Sequence, residues 1–313
     1  MASVSTYLRK INTAYKILVR PTLHKIYNTI DFLLTPKNKR VVLNGWFRHC
    51  GRTLLPNNWG DDINFYIIPI LTGKKVFNYS SMYRWILASD ENNYTCIGSL
   101  IDMFSDTKTI VWGSGILRGN EPLKDIPEKV LAVRGPKSRK YLIDKGISCP
   151  EIYGDPALLL PLIYKPSIQK KYKLGVIPNL ADVRNPLVDR LIKIGKGSVK
   201  FINMTDYDDW KSVIEDICCC EAIVSSSLHG LIIADTYGIP NARVKFSDNV
   251  TGGDFKYDDY FESVSRAKKT PLLVTFETEI CELLALCSDW KPISFNSKPL
   301  LNSCPFEILK NYY

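Results

Sequence analysis

From Lys39 onward, short runs rich in β-branched residues alternate with stretches of helical periodicity. Buried strands that alternate with helices are typical of a parallel sheet with helical crossovers. The pattern therefore predicts an α/β fold. The predicted strands of this first series cover residues 40–44, 75–79, 95–98, 109–112 and 129–133, and its predicted helices cover residues 63–71, 82–88, 100–104 and 136–145.

A polar segment with a proline, residues 165–171, interrupts the alternation, which then starts again. A chain of 313 residues is too long for one typical core. We therefore predict a leader at 1–38, an N-terminal α/β domain at 39–165, and a C-terminal α/β domain with a helical tail at 166–313, the two domains facing a cleft. The second series has predicted strands at 174–177, 199–202, 222–224 and 242–246, and predicted helices at 185–194, 208–217 and 229–237.

The leader holds most of the net positive charge. The first forty residues contain eight lysines and arginines and one acidic residue, so they contribute seven of the nine formal positive charges. Apolar residues also recur there at helical spacing. They are Val4, Leu8, Ile11, Tyr15 and Leu18, followed after Pro21 by Leu23, Ile26, Tyr27, Ile30, Leu33 and Leu34.

Basic amphipathic segments of this kind are typical of helices that lie on anionic membrane surfaces. The charge imbalance exceeds what solubility requires and favours that interpretation. The alternative is a helical hairpin packed on the domain, with solvated lysines. The basic run lacks a recognisable nucleic-acid-binding module, so we expect no nucleic acid partner.

No stretch approaches the ~20 uninterrupted apolar residues of a membrane span, and we find no signal peptide pattern at the N-terminus. Nine cysteines, three of them consecutive at Cys218, Cys219 and Cys220, suit neither a disulfide scaffold nor a zinc knuckle. We therefore expect reduced, buried thiols. The expected location is cytoplasmic, at the inner face of the cytoplasmic membrane if the leader binds lipid.

The Ser-Ser-Ser-Leu-His-Gly segment at residues 225–230 stands where a predicted strand ends and a helix begins. Open α/β sheets bind ligands at such positions, and the N–H groups of a helix N-terminus favour an anion there. The serine hydroxyls could add donors, or merely cap the helix. His229 could be a general acid or base, or could only pack; its position at a strand-to-helix junction favours function. The residues that we expect to bind substrate here are Ser226, Ser227, Leu228 and Gly230.

A second strand-to-helix junction lies in the first half, at Arg134-Gly135-Pro136. An arginine beside a helix N-terminus can bind a carboxylate or phosphate through two parallel hydrogen bonds. The alternative is a surface salt bridge. The local pattern leaves these two interpretations open.

A helix opens at Asn58-Trp59-Gly60-Asp61-Asp62, after a long polar loop that contains Arg48, His49 and Arg52. One aspartate is expected to cap the helix, and the other could bind a sugar hydroxyl or take its proton. Capping alone would explain either aspartate taken singly. We predict that Asn58 and Asp61 bind substrate, and loops of this length draw attention to His49 as well.

Two further segments could contact a ligand. Gly113-Ser114-Gly115 permits close backbone approach, but the spacing of the glycines is not that of a dinucleotide fingerprint, so we expect no redox cofactor. The segment at 252–260 could form a lid from which Lys256 reaches a phosphate, or a solvated loop that enters the next helix. We predict substrate binding by Gly113, Ser114 and Lys256.

Six pieces of the chain occur in a characteristic order between residues 41 and 265. They are Asn58-Trp59-Gly60-Asp61, Gly113-Ser114-Gly115, Val133-Arg134-Gly135-Pro136, Tyr153-Gly154-Asp155-Pro156-Ala157, Ser226-Ser227-Leu228-His229-Gly230, and Phe255-Lys256 with Asp259-Tyr260. Together they resemble the polysaccharide pyruvyl transferase family, with the Ser-Leu-His-Gly and Arg-Gly-Pro pieces as the specific part. The leader and the tail after Arg266 lie outside the resemblance.

The resemblance implies two Rossmann-like domains facing a cleft, as in GT-B glycosyltransferases, with the acceptor on the N-terminal side and the donor on the C-terminal side. It implies transfer of the enolpyruvyl unit of phosphoenolpyruvate onto a sugar as a cyclic ketal, with release of phosphate, in capsule or exopolysaccharide biosynthesis. The matching arginine and histidine of the family are regarded as donor-binding and catalytic, and we carry those roles over to Arg134 and His229. The scheme needs no metal and no cofactor beyond the donor substrate.

The resemblance also implies an acceptor sugar on a polyprenyl diphosphate lipid, which would give the basic leader a purpose. Family members often have a third glycine where Ser114 stands. The loop at residues 47–57 looks peculiar to this chain, so we expect it to decide acceptor choice. Two alternatives remain open: a glycosyltransferase that uses a nucleotide sugar, and a non-catalytic, membrane-bound scaffold of a polysaccharide assembly complex.

Overall fold

A computed structural model describes residues 20–50, 53–83 and 91–312 of the chain. The described strands are β1 (Arg40–Leu43), β2 (His49–Cys50), β3 (Thr53–Leu54), β4 (Lys75–Asn78), β5 (Asn93–Thr95), β6 (Thr109–Trp112), β7 (Lys129–Ala132), β8 (Tyr172–Ile177), β9 (Val199–Phe201), β10 (Cys220–Ser225), β11 (Asn241–Lys245) and β12 (Leu272–Leu273). The described α-helices are α1 (Arg20–Leu34), α2 (Trp59–Asp62), α3 (Asn64–Thr72), α4 (Ile101–Phe104), α5 (Pro136–Ile143), α6 (Leu160–Ile163), α7 (Pro186–Ile194), α8 (Trp210–Cys218), α9 (Leu228–Thr236), α10 (Phe255–Ser263), α11 (Ile280–Ser288) and α12 (Ser297–Asn302).

Two five-stranded parallel sheets form the framework, so the predicted α/β class is confirmed. The first sheet has the order β4-β1-β5-β6-β7, and the second, read from its opposite edge, has the order β9-β8-β10-β11-β12. When only the five strands of a sheet are numbered in chain order, each sheet has the strand order 2-1-3-4-5. The direction of winding reverses between β1 and β5 and between β8 and β10, and open α/β sheets bind ligands beyond the strand ends at such reversals.

The third strand lies earlier than the sequence pattern predicts. We expected a strand at residues 95–98, whereas β5 ends at Thr95. The Asn64 side chain accepts from the N–H of Ile97 at 2.9 Å and donates to its carbonyl at 3.0 Å. Gly98 then follows with a φ of +109°. Because Ile97 pairs with a side chain of α3 instead of a neighbouring strand, the strand stops before it.

The other predicted strands and most predicted helices lie within two residues of observed ones. The short strands β2, β3 and β12 were not predicted. The predicted helix at 82–88 falls largely outside the described residues, and the apolar face from Val4 to Leu18 falls wholly outside them.

The second part of the leader forms helix α1, which contacts the first sheet through Phe32. The Phe32 ring meets Phe77 edge-on at 5.4 Å between centroids, and the Arg40 guanidinium lies 3.6 Å above it. None of the described helices is long and apolar enough to cross a membrane. The exposed apolar side chains of α1 include Leu23, Ile26, Ile30, Leu33 and Leu34, with 42–78% of their surface exposed.

The C-terminal tail returns to the first half of the chain. The indole of Trp112, at the end of β6, donates to the Leu300 carbonyl at 3.0 Å. Further on, the Leu309 N–H donates to the Leu71 carbonyl at 2.9 Å. The tail therefore ties the two halves together.

The three consecutive cysteines join α8 to β10. The thiols of Cys219 and Cys220 lie 3.1 and 3.2 Å from the Asp216 carbonyl. Burial raises the pKa of the Cys218 thiol to about 11 and also raises those of its two neighbours. The described cysteine side chains are all free thiols.

The buried carboxylate of Asp235, near the end of α9, organises the second half. It accepts hydrogen bonds of 2.7–2.9 Å from Arg266, Tyr260, Trp290 and Asn241. These donors come from β11, from α10 and from the segments that follow α10 and α11. One carboxylate thus connects α9 to α10 and to the start of the tail.

Asp235→Ala should lower the free energy of unfolding by about 3–5 kcal/mol, because it leaves the largely buried Arg266 guanidinium without a counter-charge. Chemical denaturation measures the loss. The control is Asp144→Ala, which removes an exposed carboxylate 2.7 Å from Lys140 and should cost at most about 1 kcal/mol. Equal losses in the two variants would contradict the role given to Asp235.

Candidate active site

A cavity of about 300 Å³ lies between the two sheets, beyond the carboxyl ends of their strands. Its walls come from the loops after β1, β5, β6, β8, β9, β10 and β11, together with the start of α2. Both topological reversals therefore open onto the same cavity. The polar side chains that line it are Asn58, Asp61, Ser99, Arg118, Asn179, Thr205, Ser227, His229, Thr251 and Lys256.

Helix α2 belongs to the first half of the chain but is bound to the second half. The Trp59 N–H donates to the Met204 carbonyl at 2.8 Å, and its indole N–H donates to the Trp210 carbonyl at 3.0 Å. Next along the helix, Asp62 accepts from the Tyr207 hydroxyl at 2.8 Å. Trp59 is fully buried, so these bonds are shielded from water.

Gly60 brings the backbone of α2 against His229 at the start of α9. A β-carbon at position 60 would lie 1.8 Å from His229 Nδ1, so only glycine fits. On its other side, His229 Nε2 lies 3.5 Å from Asp155 Oδ2. His229 is buried, and its imidazole is held between a glycine and a carboxylate of the first half.

Asp61 lies on the cavity wall with 5% of its surface exposed. Burial raises its pKa to about 7, although His229 and the hydrogen bond from Asn58 oppose the rise. The Asn58 amide donates to Asp61 Oδ2 at 2.7 Å. At neutral pH this carboxyl exists in both protonation states, which allows it to give or take a proton.

Asp62 has a structural role, but neither aspartate is the N-cap that we expected: the N-cap of α2 is Asn58, and its side chain makes no capping bond. Its Oδ2 accepts from the backbone N–H groups of Asn57 and Asn58 at 2.9 and 3.2 Å, and from Tyr207. Burial raises the pKa of this carboxyl to about 6. Asp61 is therefore the aspartate left to face the cavity.

Lys256 lies in the first turn of α10, and its side chain reaches the cavity. The segment at residues 252–260 therefore enters a helix at Phe255. Lys256 is 7% exposed, and its ammonium donates to the Thr251 carbonyl at 2.8 Å. Burial, with a smaller contribution from the charges of Arg134 and Arg243, lowers its pKa to about 8. A buried ammonium of this kind is strongly stabilised by a bound anion.

Arg134 is fully buried and does not line the cavity. Its Nε donates to Asp259 Oδ2 at 3.0 Å, and its other nitrogens donate to the Ser99 hydroxyl and the Ile116 carbonyl. A β-carbon at Gly115 would lie 2.3 Å from the guanidinium carbon. Gly115 thus leaves room for the protein's own cation, which contacts the cavity-lining residue Ser99.

The cavity wall includes six of the residues predicted from sequence: Asn58, Asp61, Ser227, Leu228, His229 and Lys256. The other five lie behind it. Ser226 accepts from the Asn179 N–H at 2.8 Å, and Ser114 donates to the Gly98 carbonyl at 2.9 Å. Gly230 packs on Ser225, and Gly113 on Pro156. The binding and catalytic roles assigned to these residues and to Arg134 stay predictions.

Sequence reasoning missed several residues of the cavity wall. Pro178 and Asn179 follow β8, and Met204 and Thr205 follow β9. Polar residues directly after predicted strands were a usable signal for these loops. For Trp46 and Arg118 the sequence offered no comparable signal. The side chain of His49 lies outside the described residues.

Comparison with known proteins places the chain in a family. The sequence model of the family described as polysaccharide pyruvyl transferase matches residues 1–245. The chain belongs to the polysaccharide pyruvyl transferase family. It is a polysaccharide pyruvyl transferase enzyme, which decides against the nucleotide-sugar glycosyltransferase and the non-catalytic scaffold.

Two curated proteins resemble this pyruvyl transferase over most of its length. An uncharacterized protein of Acanthamoeba polyphaga mimivirus, L143, is 27% identical over 215 residues, which are 65% of this chain and 69% of that protein. The succinoglycan biosynthesis protein ExoV of Rhizobium meliloti (strain 1021) is 24% identical over 233 residues, which are 71% and 67% of the two chains.

The family match extends further at one end than the resemblance read from the motifs. It includes the leader, which we had placed outside, and it stops at Lys245, before the segment that carries Lys256. The part of the pyruvyl transferase that the structure describes contains no group of three or more His, Cys, Asp or Glu side chains arranged to hold a metal ion.

Asp61→Asn should make the protein's stability less dependent on pH. The pKa of Asp61 rises from 3.8 to about 7 on folding, so the folded protein binds more protons than the unfolded chain in that range. The contribution of Asp61 to stability therefore falls as the pH rises from about 4 to about 7. The free energy of unfolding of the variant, relative to the wild type, should rise over that window by up to about 4 kcal/mol and then level off.

Chemical denaturation at a series of pH values measures this difference, and the value near pH 4 serves as the internal control. A difference that stays constant from pH 4 to pH 8 would show that burial does not suppress ionisation of Asp61.

Proposed function

We propose that this pyruvyl transferase takes phosphoenolpyruvate as donor and forms a cyclic pyruvate ketal on a sugar. The observation that carries the proposal is the meeting of three groups at one cavity: the buried ammonium of Lys256, His229 at the N-terminus of α9, and Asp61 with a pKa of about 7. The first suits an anionic donor, and the other two suit proton transfer.

The donor is a compact trianion, and the charged side chains of the cavity wall support its binding. Lys256 supplies one charge, and Arg118, which is paired with Glu121, supplies a second. Helix α9 has nine residues, and its first N–H groups, from Leu228 onward, lack intrahelical acceptors. Together they provide the charge and the hydrogen-bond donors that a phosphoryl group or a carboxylate requires.

The transfer needs one proton delivered to carbon and two removed from hydroxyls. A proton added to C3 of the donor makes C2 electrophilic. One sugar hydroxyl attacks C2 and loses its proton, the bond from C2 to the phosphate oxygen breaks, and the second hydroxyl closes the ring and loses its proton. One released proton balances the one added to C3, and the other leaves with phosphate. Asp61 and His229 are the groups placed to share these transfers.

The acceptor sugar contacts the apolar part of the cavity wall. Trp46, Met103 and Leu180 belong to this wall, and 46%, 49% and 44% of their surfaces are exposed. The face of an aromatic ring suits the apolar face of a sugar ring. Trp46 also directly precedes the loop at residues 47–57, which we expect to decide acceptor choice.

The acceptor is linked to a polyprenyl diphosphate lipid, and the enzyme reaches it from an anionic membrane surface at the cytoplasmic side. Leu23, Ile26, Ile30 and Leu33 stand at helical spacing on α1 and are exposed. Exposed lysines at 25, 37 and 39 flank this face. An apolar face bordered by lysines suits binding to the interface of an anionic bilayer.

Phosphoenolpyruvate alone should raise the melting temperature of the protein. When a lipid-linked galactosyl or mannosyl acceptor is also present, the protein should release phosphate from phosphoenolpyruvate. Above a pH of about 8 the affinity for phosphoenolpyruvate should fall about tenfold per pH unit, because Lys256 loses its charge. Lys256→Met should weaken binding at pH 7 and remove that decline. Titration calorimetry gives the affinities, and mass spectrometry detects the ketal.

The matched control is Lys140→Met, which removes an exposed lysine on α5 and should leave affinity and its pH dependence unchanged.

His229→Ala should abolish phosphate release while retaining donor binding. A protein that shows no thermal shift with phosphoenolpyruvate at pH 7 would refute the donor, whatever acceptor is supplied.

The triple variant Ile26→Ser, Ile30→Ser and Leu33→Ser should lower partitioning onto phosphatidylglycerol vesicles about tenfold or more, because less apolar surface enters the interface. Flotation with these vesicles, and with phosphatidylcholine vesicles, measures the effect. The control changes three exposed apolar residues elsewhere, Ile126, Leu273 and Phe276, to serine. Equal partitioning of both triple variants would refute the role of α1.

A further inference from the structure

Two buried polar atoms face each other beneath the cavity. His229 Nε2 and Asp155 Oδ2 are both inaccessible to solvent, and neither has a hydrogen-bond partner among the described residues. They lie 3.5 Å apart, and the exposed fractions of their side chains are 8% and 0%. A buried donor or acceptor without a hydrogen-bond partner typically lowers stability by about 1–3 kcal/mol. Because these two atoms face each other, a single hydrogen bond between them would remove both costs.

A proton on Nε2 satisfies both atoms. The Nε2–H of the neutral imidazole then donates to the carboxylate, and Nδ1 keeps its lone pair. The opposite tautomer would direct a lone pair at a carboxylate and leave both atoms unsatisfied. When the imidazole takes up a second proton at Nδ1, Asp155 becomes the counter-charge of the imidazolium.

Asp155 is held rigidly in the first half of the chain. Its Oδ1 accepts from the Ala157 N–H at 3.0 Å and caps the 3₁₀ turn Pro156–Leu159. The preceding Gly154 has a φ of +139° and its N–H donates to the Val133 carbonyl at 3.0 Å. A β-carbon at Gly154 would collide with Phe295, so the turn is fixed from that side as well.

The other charged and titratable groups around His229 and Asp155 are consistent with a proton on Nε2. Asp61 faces His229 from α2. The Cys96 thiol and the Tyr260 phenol interact with Asp155, and burial raises the pKa of both well above their usual ranges. Both are therefore neutral at physiological pH, and His229 is the group that can offset the charge of Asp155.

We propose that Asp155 is a positioning residue for His229: it accepts the Nε2–H bond, fixes the ring, and leaves Nδ1 as the nitrogen that exchanges protons with substrate. The role in the reaction rests on the proposed function. Nδ1 lies on the side of Gly60, and the adjacent Asp61 interacts electrostatically with His229, so the two proton-transfer groups meet across the junction of the two halves. Neither the Leu-His-Gly segment nor the Gly-Asp-Pro segment reveals this pairing, because the fold brings them together.

Asp155→Asn tests the proposal with minimal change of shape. The amide oxygen can still cap Ala157, while the amide nitrogen directs hydrogen toward Nε2 and favours the Nδ1–H tautomer. The expected result is a fall in kcat of about 100-fold or more with little change in KM for phosphoenolpyruvate, because Asp155 does not line the cavity.

Nitrogen NMR of the full chain labelled with ¹⁵N-histidine reads the tautomer directly. The protein has three histidines, and His229→Gln identifies the His229 signals. We expect the Nε2–H tautomer for neutral His229 in the wild type and a shift toward Nδ1–H in Asp155→Asn. Asp182→Asn is the matched control, because Asp182 is also buried with an unpaired Oδ2, and it should leave the tautomer unchanged.

An Nδ1–H tautomer in the wild type would overturn the proposal, and so would an Asp155→Asn variant with unchanged tautomer and unchanged kcat. If the variant fails to fold, the wild-type spectrum decides alone. The spectrum requires no substrate, so an Nε2–H tautomer would stand even if phosphoenolpyruvate proved not to be the donor.

Discussion

The attachment of α2 to the second half of the chain is the constraint on which the site depends. Trp59 binds two carbonyls of the second half through its backbone and its indole, and Gly60 then places the helix backbone against His229. Without this attachment, Asp61 and His229 would belong to two separately folded sheets. Since neither bond is exposed to water, we infer that the relative position of the two proton-transfer groups is held firmly.

Buried charge in this protein serves two different purposes. Arg134 with Asp259, and Arg266 with Asp235, are paired and hold α10 and the tail in place. Among the residues that the structure describes, neither Asp61 nor Lys256 has an oppositely charged partner at hydrogen-bond distance, and burial moves the pKa of each toward neutrality. Such groups reduce stability and are retained where chemistry requires them. The paired charges therefore frame the cavity, and the unpaired charges face into it.

Prediction from sequence succeeded where local pattern carries the information. The two strand series, the helix that starts at Leu228 and the cavity position of His229 all follow from periodicity and from the junction of strand and helix. It failed at residues 95–98, because the partner of Ile97 is the side chain of Asn64 from a distant helix. It also could not show that Gly115 leaves room for the side chain of Arg134, since these two residues come together only in the tertiary structure.

The sequence by itself determined the α/β class, the double series of strands and the identity of the residues at each strand end, because these depend on short-range periodicity and on the preference of helix starts for certain residues. Only the tertiary structure decided which strand ends share a cavity, which aspartate is structural, and that Asp155 faces His229. The reason is physical: burial and hydrogen bonding between residues far apart in the chain set the pKa values and the partners of these side chains, and no local pattern encodes the distance between two sheets.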